Sequence, residues 1–211
     1  KSISFLKATF LFFLSGLIVQ ARTQDAIKFQ SYTSEQGLSE NVIYCQMIDS
    51  RGFLWVGTDF GLNRFDGYRF RQFLKKNDDV NSLSHNGIVS IAEDARHRIW
   101  VITFQSVERI DGLTGKVTRI KSANLPEPDG TRLLDIVRAD SQHMLIVKQH
   151  AVFLLHTDSL NWTKLSDTDS TEIFPRFFRT NQNEILIASS TRKKRVVFRY
   201  KTRNKKLDKL M

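Results

Sequence analysis

The chain has 211 residues, of which 41% are hydrophobic, 11% aromatic and 26% charged. Those proportions are globular and exclude an intrinsically disordered chain, while three Pro and ten Gly exclude collagen-like and low-complexity classes. A single Cys excludes a disulfide scaffold, and no C-x-x-C pair exists to hold zinc. The formal charge of +10 suggests an acidic partner until its distribution is considered. Residues 1–21 carry two basic side chains and no acid, residues 192–211 carry ten basic and one acidic, and residues 22–191 are left with 20 basic and 21 acidic. A nucleic-acid binder carries its basic face on the folded body. Here the excess reads as solvated turns flanking Val196, Val197 and Phe198, so no nucleic-acid partner is expected.

Residues 1–21 have the layout of a secretory signal peptide. Lys1 and Lys7 precede a mostly apolar run, Ala8 to Val19, and Val19-Gln20-Ala21 offers a cleavage site after Ala21. The run is shorter than the about 20 residues of a comfortable membrane span; a buried core helix and an uncleaved anchor are the alternatives. Export implies the periplasm or the cell exterior. Residues 22–40 form a lead-in, within which Lys28–Thr33 alternates like a strand suited to close the ring by completing a last blade that lies outside this chain.

Beyond residue 40 the chain repeats itself. Asp49, Gly52, Trp55 and Val56 return 45 positions later as Asp94, His97, Trp100 and Val101. The same frame is read again at Asp140, His143, Ile146 and Val147, and more weakly at Asn181, Glu184, Ile187 and Ala188. In the first two copies Arg64, Asp66 and Gly67 match Arg109, Asp111 and Gly112. Each copy resolves into four short strands separated by turns rich in Asp, Gly, Asn and Ser. The expected strands are Ile43–Ile48, Phe53–Thr58, Leu62–Phe65 and Arg69–Phe73, then Ile88–Glu93, Ile99–Thr103, Val107–Ile110 and Val117–Lys121. They continue as Leu133–Ala139, Met144–Lys148, Ala151–Leu155 and Trp162–Leu165, then Ile173–Arg179, Glu184–Ser189, Arg195–Tyr200 and Lys206–Leu210. Four antiparallel strands per unit of about 45 residues is the signature of a β-propeller blade. The fold class is therefore all-β, an incomplete propeller, with blades at 41–80, 81–125, 126–168 and, in part, 169–211. A β-sandwich is the alternative, but nothing in a sandwich demands recurrence. Trp55 and Trp100 are expected to wedge between adjacent sheets.

Few constellations point to chemistry. The repeated acids fall in turns, where Asp caps backbone donors, whereas a glycosidase needs two carboxylates on facing loops. The five His form neither H-x₃-H nor H-E-x-x-H. His97 and His143 fall at the Gly52 position, where a turn role suffices. His150 and His156 flank one strand, which leaves a metal pair open. Cys45 reads as a small buried hydrophobe. No nucleotide-binding glycine motif and no G-x-S-x-G elbow occurs. No catalytic, metal or cofactor residue is assigned. Phe60, Tyr68, Phe104 and Trp162 fall in or near turns and are the candidates for stacking on a sugar.

Gln36-Gly37-Leu38-Ser39, Asn41-Val42, and the run from Asp49 through Gly52, Trp55, Gly57, Thr58, Gly61, Leu62, Arg64 and Phe65 to Asp66-Gly67 resemble the two-component regulator propeller repeats. The resemblance covers residues 28–121 well and 131–200 loosely; Ile102 and Gln105-Ser106 depart from the family's Gly-Thr and Gly. It implies a periplasmic sensor region of a hybrid two-component system in Gram-negative, glycan-degrading bacteria. It also implies further blades, a β-sandwich, an inner-membrane helix and a cytoplasmic histidine kinase beyond this region, with a sensor dimer partner and an oligosaccharide ligand. A non-enzymatic glycan sensor is the expectation. An exported propeller enzyme acting on polysaccharide and a protein-binding scaffold are the alternatives.

Overall fold

The computed structural model describes residues 29–120, 132–149, 151–167, 176–180, 184–190 and 195–210. The expected signal peptide, Lys28, Ile173–Pro175, Asn181, His150 and Arg192–Lys194 lie outside the described residues. The described residues from Tyr32 onward form one compact unit. Among the described residues it contains sixteen strands in four antiparallel sheets, each with its strands in chain order. Blade 1 is β1 (Ile43–Ile48), β2 (Leu54–Thr58), β3 (Gly61–Phe65) and β4 (Phe70–Phe73). Blade 2 is β5 (Ile88–Glu93), β6 (Ile99–Thr103), β7 (Val107–Ile110) and β8 (Val117–Ile120). Blade 3 is β9 (Leu133–Arg138), β10 (His143–Lys148), β11 (Ala151–His156) and β12 (Trp162–Asp167). Blade 4 is β13 (Arg176–Arg179), β14 (Ile185–Ser190), β15 (Arg195–Lys201) and β16 (Lys206–Lys209).

The sheets radiate from their first strands. β1, β5, β9 and β13 run side by side, and the later strands fan outward. Burial follows this plan. The second strands of blades 2 and 3, β6 and β10, are buried on both faces and are apolar almost throughout. The outer strands β12 and β16 expose polar side chains such as Thr163, Lys164, Lys206 and Lys209, which blunt a free edge.

Three apolar clusters fill the three seams. Trp55, Leu62 and Phe73 of blade 1 meet Ile88, Ile99, Val101 and Ile110 of blade 2. Trp100 and Ile102 of blade 2 meet Ile136, Met144 and Ile146 of blade 3. Leu145, Val147 and Leu154 of blade 3 meet Ile185, Ile187 and Tyr200 of blade 4. A connecting segment also plugs the first seam, since Leu83 is fully buried against Trp55 and Phe73.

Two readings of the sequence are corrected. The β1–β2 and β5–β6 turns close through Asp49 N–H to Phe53 O and Asp94 N–H to Arg98 O, but the β9–β10 turn closes through Ala139 N–H to His143 O. The residue equivalent to Asp49 is thus Ala139, not Asp140. The Trp position is held by Leu145, not Ile146, at an unbroken spacing of 45. A one-residue slip reverses every side chain, and accordingly Ile146 faces blade 2 while Leu145 faces blade 4. His143 therefore begins β10 instead of occupying the tip of the hairpin. His97 does stand where Gly52 stands, with φ of 60° against 85° for Gly52.

Residues 29–33, expected as a ring-closing strand for a blade outside this chain, are not paired in a ladder here. A strand exists only on a ladder, and here the Tyr32 ring packs on Phe65 and Phe70 while Thr33 caps a short 3-10 turn, Ser34–Gln36.

Candidate functional site

The repeated residues build two turns and one cross-seam tie in each of blades 1 and 2. At the first turn the Asp49 carboxylate accepts from Arg51 N–H (2.9 Å), Phe53 N–H (3.0 Å) and the buried Trp55 Nε1–H (2.9 Å). Asp94 repeats this with Arg96 N–H (2.9 Å), Arg98 N–H (3.0 Å) and Trp100 Nε1–H (2.8 Å), and adds Arg98 Nε (2.7 Å). One carboxylate thus fixes the hairpin and orients the indole that enters the seam. In blade 3 Asp140 instead accepts from Gln142 N–H (2.8 Å) and pairs with His143 Nδ1 (2.8 Å).

Burial alone would raise the Asp49 and Asp94 carboxyls. The Trp N–H and the backbone N–H donors outweigh it and hold both below the ordinary Asp value. A carboxyl whose folded value lies below its unfolded value, about 3.9, contributes stability above that pH, and loses it as pH falls through the folded value. Stability is therefore expected to fall on acidification below about pH 4. Asp94→Asn should lower stability at pH 7 and flatten that acid slope. Urea unfolding across a pH series measures both, and an unchanged slope would overturn the assignment.

The second turn is held by Asp66, which accepts from Tyr68 N–H and Arg69 N–H, and by Asp111, which accepts from Leu113 N–H and Thr114 N–H. Gly67 takes φ of 97° there. Gly112 serves a different end, since a Cβ on it would meet the Arg51 guanidinium. The tie runs from one blade to the next. Arg64, opposite Trp55, donates Nη1–H to Gly112 O (2.7 Å), and Arg109, opposite Trp100, donates Nη1–H to Thr157 O (3.1 Å). Each guanidinium also lies over its own indole, at 5.9 Å for Arg64 and 5.7 Å for Arg109.

The four aromatic candidates do not converge. Ile43 pairs with Thr58 and Ile88 with Thr103, so the β2–β3 and β6–β7 turns lie at the end where β1 and β5 begin. Phe60 and Phe104 stand on those turns, 54% and 44% exposed. Tyr68 and Trp162 stand at the opposite end. Tyr68 is fully in solvent, and Trp162 is a packing residue set edge-on to Phe153 at the second seam.

Tyr44 and His85, not singled out in the sequence, join Phe104. Tyr44 lies edge-on to it at 6.1 Å and its hydroxyl reaches Asp59 (3.4 Å), and His85 tilts onto it at 5.2 Å. Tyr44 sits at a β-bulge between Ile43 and Cys45, and bulges re-aim side chains. The same register shift recurs around Val89 and Leu134. Cys45 beside it packs against the first seam, and desolvation pushes its thiol up to about 12, which keeps it protonated. His156 accepts from Asp158 N–H and Ser159 N–H through Nδ1, so that nitrogen is taken up by its own turn.

Comparison with known proteins places this geometry. The family described as two component regulator propeller matches residues 37–60 and 82–105. Those two segments are thus similar to two copies of that family's repeat. The two matches begin 45 residues apart, and each spans a buried Leu of the connecting segment, the bulge, the Asp–Trp turn and the first exposed turn. Over 74 residues the chain is 35% identical to Histidine kinase P4 of Formosa agariphila, a match that covers 35% of this chain and 5% of that protein. In fold it resembles the extracellular domain of a B. thetaiotaomicron protein assigned as a hybrid two component system (TM-score 0.65, 20% identity, 87% of this chain and 27% of that one). It also resembles a virginiamycin B lyase from Staphylococcus aureus (TM-score 0.67, 15% identity, 89% of this chain and 60% of that one). The fold thus occurs in the extracellular domain of a two component system and in a lyase. The chain spans under a third of that extracellular domain and a small part of the curated kinase.

Proposed function

We propose that this chain is part of a periplasmic sensor propeller of a hybrid two-component system. It recognises an oligosaccharide and signals to a histidine kinase that lies outside these residues. The recurrence of the family's repeat at residues 37–60 and 82–105 carries this reading. The 35% identity to a histidine kinase over 74 residues supports it. The ligand site we favour is the end bearing Tyr44, Phe60 and Phe104, where half-exposed rings offer stacking faces and Asp59 and His85 offer polar partners.

A ligand that binds only the folded state raises stability by about 2.7 kcal/mol at one hundred times its Kd. Thermal unfolding with a panel of plant and algal oligosaccharides is expected to show a rise for one of them. Phe104→Ala, whose ring is half exposed, should abolish that rise and leave the ligand-free Tm within a few degrees. No rise with any glycan would favour the protein-binding scaffold. The likeness to a lyase supports the enzyme reading only at the level of fold. New reducing ends released from polysaccharide would establish it and remove the pure sensor.

A further inference from the structure

Three arginines share one position of the repeat. Arg64 stands opposite Trp55, Arg109 opposite Trp100 and Arg199 opposite Leu186. The first two reach across a seam, and each donates to a backbone carbonyl 48 residues onward, in the turn between the third and fourth strands of the next blade. Blade 3 has Leu154 at this position, packed into the third seam.

Arg199 lies on the face of blade 4 turned away from blade 3. Ile185, Ile187 and Tyr200 point toward blade 3, and strand alternation puts Leu186 and Arg199 on the other side. Its Nε is buried without a hydrogen-bond partner, as is that of Arg64. Its Nη1 lies 3.6 Å from a Glu184 carboxylate oxygen, and among the described residues it makes no hydrogen bond to a backbone carbonyl of the kind Arg64 and Arg109 use. A cavity of about 560 Å³ opens beside it, lined by Glu184 and the residues from Arg199 to Asn204. On the same face Phe178 is 55% exposed, whereas its counterparts Met47 and Ala92 pack into the first and second seams.

We infer that this face is the receiving half of a fourth blade seam. Its occupant is a further four-stranded sheet of the same repeat, whose turn between third and fourth strands enters the cavity and offers a backbone carbonyl to Arg199. In the two of the three completed seams that carry an arginine at this position, its acceptor is a backbone carbonyl. Arg203 also lines the cavity, so its wall is cationic in spite of Glu184 and of the pairing of Lys201 with Asp208, and the test below separates a carbonyl from an anion as the occupant. The inference rests on the reading of the chain as part of a longer propeller, and it adds the residue and the acceptor that join the next blade.

Arginine-specific modification with phenylglyoxal, followed by peptide mass spectrometry, tests it on the 211-residue chain and on the intact gene product. The two samples are compared first without glycan and then with a sulfated oligosaccharide added. Arg64 and Arg109 are expected to react slowly in both. Arg199 should react readily in the chain and at least about tenfold more slowly in the intact product, a factor of ten being one 1.4 kcal/mol step in an equilibrium. Equal Arg199 reactivity in the two samples overturns the inference. So does protection of Arg199 in the chain by a sulfated oligosaccharide with none in the intact product, which would mark an anion site. Protection in the intact product with no glycan response in any assay would uphold the seam and remove the sensor reading, so the two fail separately.

Discussion

Trp100→Ala is expected to destabilise the chain by about 3–5 kcal/mol, the usual range for truncating a buried Trp. The indole is fully buried in the seam between blades 2 and 3, against Ile136, Met144 and Ile146. Rigid sheets on either side cannot collapse into the space it leaves, so the cost should fall at the upper end. The polar share of the loss is smaller. Asp94 would lose the indole N–H but keep Arg96 N–H, Arg98 N–H and the Arg98 guanidinium. Trp100→Phe removes the N–H and only part of the ring volume, so a loss between the about 1–3 kcal/mol of one buried hydrogen bond and that of Trp100→Ala is expected. Urea unfolding at pH 7 reads both from the midpoint at constant m. A loss below 1 kcal/mol for Trp100→Ala would mean that the blades do not depend on this seam. Domain stabilities are typically about 5–15 kcal/mol, so the larger loss would leave a substantial unfolded population.

The strands were legible because period-two alternation and turn residues recur at short intervals, and most observed ends fall within a residue or two of the expected ones. The third repeat shows where that legibility stops. Asp140 attracts the frame because Asp49 and Asp94 open the first two turns. With no Trp to pin it, the frame slips by one, and the slip is invisible until Ala139 N–H is seen bonding His143 O. One signal was present in the sequence all the same. Leu38, Ser39 and Asn41 return as Leu83, Ser84 and Asn86 at the same spacing of 45. In space both Leu are buried, and both Ser N–H groups donate across to a side-chain oxygen, of Asn63 in blade 1 and of Glu108 in blade 2. This marks the connecting segment as part of the repeat. The ties from Arg64 and Arg109 were not legible. Their acceptors are backbone carbonyls in another blade, and no side-chain pattern records a carbonyl. The grouping of Tyr44 with Phe104 was hidden for a related reason, since a bulge re-aims Tyr44 away from the face that strict alternation assigns it.

Gly57→Ala is expected to cost about 1–3 kcal/mol by overpacking the first seam. A Cβ at Gly57 would lie 2.5 Å from Cys45 Sγ and 2.6 Å from Ile88 Cγ2. Ile88 is fully buried and stiff at χ1, so it has little room to yield. The equivalent of Gly57 in blade 2 is Ile102, the departure from the family pattern noted above, and it is fully buried without difficulty. Its neighbours account for this. Ser90 stands opposite Ile102 where Cys45 stands opposite Gly57, and Leu133, at the position of Ile88, is only partly buried. The two seams thus partition the same space differently, a small residue facing a large one in the first and a large one facing a looser neighbour in the second. It follows that Gly57→Ala and Ile88→Ala should not be additive. Each alone destabilises, the first by crowding and the second by a cavity, but in the double variant the new methyl occupies part of the vacated volume. The double variant should therefore be more stable than the sum of the single losses implies, by more than about 0.5 kcal/mol. Additivity within that margin would show that Gly57 is set by something other than the approach of Ile88.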